Sequence, residues 1–177
     1  MKHLKNIIKK IEIKLKFPFV LKPINECSSV GVYINNKKNF IKNLLKLEKF
    51  KEVLIEKYIP GREIQAAILG NKKLGAIELK PKRKFYDYTA KYSSKAKTEH
   101  IIPVDLEKKN LDKELNISLK AHNLLGCRGF TRSDFNFYNN QFYLLELNTQ
   151  PGMTKLLALI HISETPSRTP NSYAAFF

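Results

Sequence analysis

The chain has 177 residues, with 32 Lys or Arg against 16 Asp or Glu, a formal net charge of +16 at pH 7, and 43% hydrophobic residues. This length suffices for one ordinary domain or for two small lobes. No window approaches the roughly 18 uninterrupted apolar residues of a membrane helix, and the N-terminus does not resemble a secretory signal. We therefore predict a soluble, cytoplasmic protein. Cys27 and Cys127 lie far apart without metal-ligand spacing, which argues against a disulfide framework or a zinc site.

The excess of positive charge first suggests a nucleic-acid partner, because clustered Lys and Arg release counterions from phosphate backbones. The basic residues, however, are 27 Lys and only 5 Arg, and they are spread through the whole chain. Arg is the residue that usually forms bidentate contacts with phosphates and bases. The pattern favours a solvated basic surface without a specific nucleic-acid site.

The first part of the chain predicts a small α+β lobe. Apolar residues at helical spacing predict helices over 2–16 and 37–50. Short apolar runs predict strands at Phe19–Lys22 and Val32–Ile34. Between the strands, the small residues of Asn25–Gly31 indicate a turn.

The middle of the chain contains three strand-like runs separated by Pro-Gly and Gly-Asn, namely Val53–Ile59, Glu63–Leu69 and Leu74–Leu79. Because the turns between these runs are short, we expect consecutive strands to pair in antiparallel fashion. Residues 81–100 show no clear period and are rich in Lys and Tyr, which is typical of a long functional or mobile loop.

The last part of the chain predicts one helix and one hairpin. Leucines at helical spacing predict a helix over 107–125, with Gly126 as its stop. Two strands follow, Gly129–Tyr138 and Phe142–Asn148, which are joined around Asn139-Asn140-Gln141.

Charged and amide side chains on this hairpin give the strongest chemical signal. Residues two apart on a strand share a face, so Arg132 and Asp134 point the same way. Glu146 and Asn148 do the same on the second strand. Whether the two pairs share one face depends on the register of the hairpin.

Two registers are open. A two-residue turn pairs Tyr138 with Gln141, and Asp134 and Glu146 then lie on opposite faces. A three-residue loop pairs Tyr138 with Phe142 instead. In that register Asp134 lies directly opposite Glu146. Because Asn tolerates the left-handed conformation that such a loop needs, the second register is reasonable.

In the second register two carboxylates and an amide converge beside an arginine. Like charges so close are unfavourable unless a cation lies between them. Hard oxygen ligands of low total charge suit magnesium that is shared with substrate phosphates. The alternative is a carboxylate that simply pairs with Arg132 on a solvated face of the sheet, and spacing alone does not decide between the two.

Two weaker patterns occur earlier in the chain. Lys22 precedes a turn of small residues whose backbone amides could cradle a phosphate while the lysine supplies a positive charge. The segment from Glu56 to Ile59 alternates polar and apolar residues at a strand end, where an adenine could receive backbone hydrogen bonds. It is equally typical of an ordinary edge strand.

Six segments, in this order, resemble the D-alanine–D-alanine ligases of the ATP-grasp superfamily: FVLKP, ECSSVGV, LIEKYIPGRE, FYDYTAKY, GFTRSD and YLLELNTQPGMT. The resemblance runs from about residue 17 to about residue 156. It implies an α+β ATP-grasp fold with two lobes, mainly antiparallel sheets and flanking helices. The implied division is a small lobe over 1–56 and a large lobe over 57–156. Because the sequence departs from the family pattern after Leu156, we expect an aberrant, disordered tail over 157–177.

The resemblance also implies the residues of the site. The implied nucleotide contacts are Lys22 and Lys57 at the phosphates, Glu56 and Ile59 at the adenine, Glu63 at the ribose, and Phe85 and Leu145 in the base pocket. The implied ligands of two magnesium ions, with manganese as the alternative metal, are Asp134, Glu146 and Asn148. The implied catalytic residues are Arg132, Lys91, Tyr92 and Ser28, and the implied substrate contact is the Gly152 amide.

The reaction that the resemblance implies has two steps: ATP phosphorylates the carboxylate of one D-alanine, and the amine of a second D-alanine attacks the acyl phosphate. The dipeptide serves the synthesis of peptidoglycan precursors. The implied partners are ATP and D-alanine, with a homodimer for the full-length family member and no membrane. The alternatives are a non-catalytic ATP-binding fragment and a basic nucleic-acid-binding module.

The chain also departs from the family pattern. The family's amino-terminal domain is absent and Leu157 replaces a substrate-binding serine, so we expect a truncated copy of the enzyme. Cys27 replaces a glycine of the phosphate loop, where glycine allows close backbone approach. Ser133 replaces an aliphatic residue, and we expect its hydroxyl to face the core at a cost of about 1 kcal/mol or more unless it finds a partner.

Overall fold

The computed structural model describes residues 2–25, 31–80 and 98–151. These residues divide into two compact units, one ending at Ile59 and the other beginning at Pro60. Within the described ranges lie the helices α1 (Lys2–Leu15), α2 (Phe40–Lys46) and α3 (Lys108–Leu124), and the strands β1 (Phe19–Pro23), β2 (Tyr33–Asn35), β3 (Val53–Lys57), β4 (Arg62–Leu69), β5 (Lys72–Lys80), β6 (Glu99–Ile101), β7 (Phe130–Tyr138) and β8 (Gln141–Asn148). No helix in these ranges combines the length and the apolar character needed to cross a membrane.

The first unit is a three-stranded antiparallel sheet with two helices packed against it. The strand order is β2-β1-β3. Phe19 and Leu21 are fully buried on one face of β1, and they form a core with Phe40 and Leu47 from the α2 region. Ile8 and Ile11 of α1 pack on the same core, as their helical spacing predicts.

Helix α2 is shorter than the predicted span 37–50. Asn36 Oδ1 accepts hydrogen bonds from the backbone amides of Lys38 (2.9 Å) and Asn39 (3.2 Å), and Asn39 Oδ1 accepts one from the Asn36 amide (2.7 Å). Such local side-chain contacts offer the backbone an alternative to the helix. The helix therefore begins at Phe40.

The prediction that consecutive strands pair is wrong for β3 and correct for β4 and β5. Strand β3 pairs with β1, whereas β4 pairs with β5 and β7. Val53 and Ile55 lie opposite Pro23 and Leu21, so β3 completes the apolar face of the first sheet. The second sheet begins after Pro60-Gly61.

The second unit is a five-stranded antiparallel sheet in the order β6-β5-β4-β7-β8. Helix α3 packs on one face. Ile64, Ala66, Leu115 and Phe135 are at the centre of the core between helix and sheet. The opposite face carries polar side chains and is described below. Strand β6 lies at the end of the segment predicted to be a loop.

Gly126 ends α3, as predicted. It has a φ of 65°. The Gly126 amide donates to the carbonyl of Asn123, and the Cys127 amide donates to that of His122, both at 3.0 Å. These two bonds form a Schellman motif, which favours glycine at the left-handed position.

The helix-facing side of β7 is unusually polar. His122 Nδ1 and Thr131 Oγ1 lie 2.8 Å apart in a buried hydrogen bond between α3 and β7. Ser133 is fully buried as expected, and its Oγ finds no partner among the residues that the structure describes. Glu114 of α3 is also fully buried. Burial raises the pKa of its carboxyl to about 8.

Candidate functional site

The β7–β8 hairpin combines features of both predicted registers. Tyr138 pairs with Gln141, so the turn has two residues. Asn139 and Asn140 have φ values of 50° and 58°, as a type I′ turn requires. Of the two registers left open by the sequence, the structure has the two-residue turn of the first.

A β-bulge restores the arrangement that the three-residue loop would have given. The register shifts between Asp134 and Phe135, so that Phe135 pairs with Leu144 but Asp134 pairs with Glu146. Leu145 is the extra residue on β8 and has no opposite partner on β7. An inserted residue turns all the side chains that follow it on the strand to the opposite face of the sheet. Glu146 thus returns to the face of Asp134.

The bulge also matches apolar side chains to the helix-facing side. Phe142 lies opposite Phe137, and Leu147 lies opposite the buried Ser133. Without the extra residue, Glu146 would lie opposite Ser133 and face the helix. The insertion of Leu145 is therefore the reason that apolar residues at both ends of β8 face α3.

The polar face of the second sheet carries three rows of side chains that run across the strands. We define the central row as Ile77, Gln65, Asp134 and Glu146, which are opposite one another on β5, β4, β7 and β8. The row beside it contains Gly75, Ala67, Arg132 and Asn148, and the row on its other side contains Leu79, Glu63 and Asn136. Directly opposite residues have Cα atoms about 5 Å apart. Polar groups from three strands thus meet on one face.

Arg132 and Asp134 form a buried bidentate ion pair. Arg132 Nε donates to Asp134 Oδ1 at 2.6 Å, and Arg132 Nη2 donates to Oδ2 at 2.8 Å. Only 7% and 6% of their side chains are exposed. The alternative interpretation placed this pair on a solvated face, and the burial contradicts that part of it. A pair removed from water needs further polar partners to offset its desolvation.

Asn148 bridges the two carboxylates. Its Nδ2 lies 3.4 Å from Asp134 Oδ2 and 3.2 Å from Glu146 Oε1. The amide nitrogen supplies positive partial charge between two acceptors that would otherwise repel each other. A cation at the same place would meet the amide oxygen after rotation of the Asn148 amide group.

The donor set fits a magnesium ion that is shared with phosphates. Two carboxylates and an amide meet on one face, and Glu146 is exposed. No cluster of three or more His, Cys, Asp or Glu side chains with metal-binding geometry occurs within the described ranges. A hard cation held by two carboxylates takes its remaining ligands from water and substrate oxygens, as magnesium does in nucleotide sites. Asp134, Glu146 and Asn148 would hold it.

The first unit brings Lys22 and Glu56 together. Lys22 Nζ lies 2.7 Å from Glu56 Oε1, and 27% and 37% of the two side chains are exposed. Both residues lie on the sheet face away from α1 and α2. Lys57 lies opposite Phe19, so by strand alternation it belongs to the helix-facing side. Lys57 is exposed on an edge strand of this sheet.

Of the remaining predicted residues, three lie within the described ranges and five lie outside them. Glu63 lies on the polar face opposite Asn136. Leu145 is 41% exposed at the bulge. Ile59 is half-buried at the end of the first unit. The predicted residues that lie outside the described ranges are Ser28, Phe85, Lys91, Tyr92 and Gly152.

Sequence reasoning missed two polar residues of this face, Gln65 and Asn136. Gln65 is 1% exposed and lies opposite Asp134. The signal was present: Gln65 is two residues from Glu63, and Asn136 is two residues from Asp134. Extending the alternation by one step on each strand finds both.

Comparison with known proteins identifies the family of the chain. The family described as "D-ala D-ala ligase C-terminus" matches residues 1–166. The D-alanine–D-alanine ligase of Pelagibacter ubique is 64% identical over 159 residues, which cover 90% of this chain and 52% of the relative. The ligase of Pseudothermotoga lettingae is 49% identical over 145 residues, which cover 79% of this chain and 49% of the relative. The chain therefore spans about half the length of these relatives.

Solved structures give the same result. The crystal structure of D-alanine–D-alanine ligase from Bacillus anthracis has a TM-score of 0.71 and 36% identity, and the match covers 85% of this chain and 49% of that one. The same ligase complexed with ATP has a TM-score of 0.69 at 29% identity, covering 85% and 47%. These likenesses confirm the predicted α+β ATP-grasp fold. The chain belongs to the D-alanine–D-alanine ligase C-terminal family.

Proposed function

We propose that this chain carries the ATP- and magnesium-binding part of an ATP-dependent ligase that joins two D-alanine molecules through an acyl phosphate, for the synthesis of peptidoglycan precursors in the cytoplasm. The observation that supports this most is the central row, where Asp134 lies directly opposite Glu146. The proposed substrate follows from the relatives, which are D-alanine–D-alanine ligases. The proposed nucleotide follows from the solved structure of such a ligase complexed with ATP.

The proposed nucleotide contacts are those that the family resemblance implies. Lys22 neutralises phosphate charge, and its ion pair with Glu56 orients the ammonium group. Glu56 and Ile59 bind the adenine, and Glu63 binds the ribose. Phe85 and Leu145 line the base pocket, as the family resemblance implies. Lys57 contacts the phosphates together with Lys22, as the family resemblance implies.

In this proposal, residues of the second unit neutralise the negative charge of the phosphates and of the intermediate during the reaction. Asp134, Glu146 and Asn148 would hold two magnesium ions, which would supply Lewis-acid charge at the phosphates when bound. Arg132, fixed by its bidentate contact with Asp134, stabilises the tetrahedral oxyanion together with the Gly152 amide. Lys91 contacts the transferred phosphoryl group, and Tyr92 and Ser28 exclude water from the acyl phosphate.

The test is magnesium-dependent ATP binding, measured by calorimetry. Asp134→Ala and Glu146→Ala are both expected to abolish it. Because Asp134→Ala leaves Arg132 buried without its carboxylate, which is strongly destabilising, Asp134→Asn keeps the shape of the side chain and serves as the folded variant. Asp112→Asn removes the same charge from the exposed side of α3 and is the matched control. Binding by Asp134→Asn and Glu146→Ala that equals the wild type would refute the metal assignment.

Phosphate release on addition of D-alanine tests the second part of the proposal. A functional ligase releases phosphate only when ATP, magnesium and D-alanine are all present. ATP binding without such release would identify the chain as a nucleotide-binding fragment. Steeply salt-dependent binding to duplex DNA without any response to ATP would support the nucleic-acid alternative instead.

A further inference from the structure

Gln65 presents an unpaired polar atom inside the candidate site. It is 1% exposed, and its Oε1 has no hydrogen-bond partner among the residues that the structure describes. The side chain lies on the polar face, opposite Asp134 on one side and Ile77 on the other. A buried carbonyl oxygen without a donor destabilises a folded protein, so its presence requires an explanation.

Neither of the two described residues that lie directly opposite Gln65 offers a donor to this oxygen. Ile77 has no polar side-chain atom, and Asp134 is an acceptor when ionised. Arg132 gives its Nε and Nη2 groups to Asp134 and lies in the neighbouring row, opposite Ala67. Two acceptors, Gln65 Oε1 and the Asp134 carboxylate, are therefore side by side on a buried face. Such a pair is suited to a donor that arrives with a ligand.

We propose that Gln65 is a positioning residue of the divalent-cation site, and that its Oε1 accepts a hydrogen bond from a water molecule bound to the cation held by Asp134 and Glu146. This inference rests on the proposed function. Magnesium keeps several of its waters when two carboxylates bind it, and each such water is a strong donor. Groups that hydrogen-bond the ligands of a metal fix its position and typically change its affinity by 10- to 100-fold.

The proposal makes two predictions of opposite sign for Gln65→Met, which keeps the length of the side chain but removes the acceptor. Without metal and nucleotide, the variant melts about 3 °C or more above the wild type, because an unsatisfied buried group is gone. With ADP present, its affinity for manganese, measured from the EPR signal of free Mn²⁺, falls about tenfold or more. A residue with a merely structural role would lower the melting temperature instead.

Two further variants separate the acceptor from packing. Gln65→Glu retains an acceptor oxygen and is expected to bind manganese at least as tightly as the wild type. Ile77→Val changes a fully buried apolar neighbour in the same row and should lower the melting temperature without changing manganese affinity. If Gln65→Met binds manganese as tightly as the wild type, or Gln65→Glu as weakly as Gln65→Met, the role of Gln65 is overturned while the proposed function stands. If the wild type itself binds no manganese with ADP, both are overturned.

Discussion

Glu114 is expected to make the stability of the second unit fall with rising pH. Its carboxylate is fully buried on α3, and neither oxygen has a hydrogen-bond partner within the described part of the chain. Desolvation raises the pKa of this group from its ordinary 4.5 to about 8. Folded protein therefore holds the proton at neutral pH, whereas the unfolded chain has released it.

The sign and the magnitude follow from this difference. Below pH 4.5 both states hold the proton, and the stability is at its maximum. As the pH rises from 4.5 to about 8, the unfolded state loses the proton and the folded state retains it, so the free energy of unfolding decreases. At about 1.4 kcal/mol for each pH unit, the total loss is about 5 kcal/mol, of which about 3 kcal/mol has occurred by pH 7.

Glu114→Gln tests this reasoning because the carboxamide has nearly the same shape and cannot ionise. The variant is expected to match the wild type near pH 4.5 and to exceed its free energy of unfolding by about 3 kcal/mol at pH 7. Because the chain has no tryptophan, urea unfolding is best followed by far-UV circular dichroism from pH 4.5 to 8.5. Asp112→Asn, on the exposed side of the same helix, controls for the change in net charge.

NMR gives an independent reading of the same group. The ¹³C shift of the Glu114 carboxyl should titrate with a midpoint near pH 8. A midpoint below pH 6, or a stability difference between Glu114→Gln and the wild type that does not vary with pH, would refute the reasoning.

Two backbone predictions concern turns of the second unit. Gly61 has a φ of 146°, and a Cβ there would overlap the Phe137 carbonyl oxygen, so Gly61→Ala is expected to lower the free energy of unfolding by about 2 kcal/mol or more in urea titrations. Gly129→Ala, at a position with open space, is its control, and equal effects of the two changes would contradict the assignment. Asn140→Gly should stabilise the protein by about 1 kcal/mol, because Asn140 has a φ of 58° and the left-handed conformation is unfavourable for residues other than glycine. A lower melting temperature for this variant would argue against the type I′ turn.

The sequence by itself determined the local features of this protein. Alternation on the two strands of the hairpin placed Arg132 with Asp134 and Glu146 with Asn148, because successive side chains on a strand must point to opposite faces. The sequence also predicted the end of α3 at Gly126, because glycine alone adopts the left-handed conformation at low cost. The order of six motifs identified the family.

Tertiary structure alone decided how these local pieces combine. The two asparagines of the turn favour a two-residue hairpin, which taken alone would separate Asp134 from Glu146. The bulge at Leu145 resolves the conflict, because the inserted residue lets Phe142, which packs on the core, and the half-buried Leu147 both face α3 while Glu146 lies opposite Asp134. In the sequence, only the adjacent Leu144 and Leu145 indicate the bulge, because they break the alternation of apolar and polar residues along β8. The burial of Gln65 and Glu114, and the pairing of β3 with β1, likewise depend on contacts between distant segments, which no local pattern encodes.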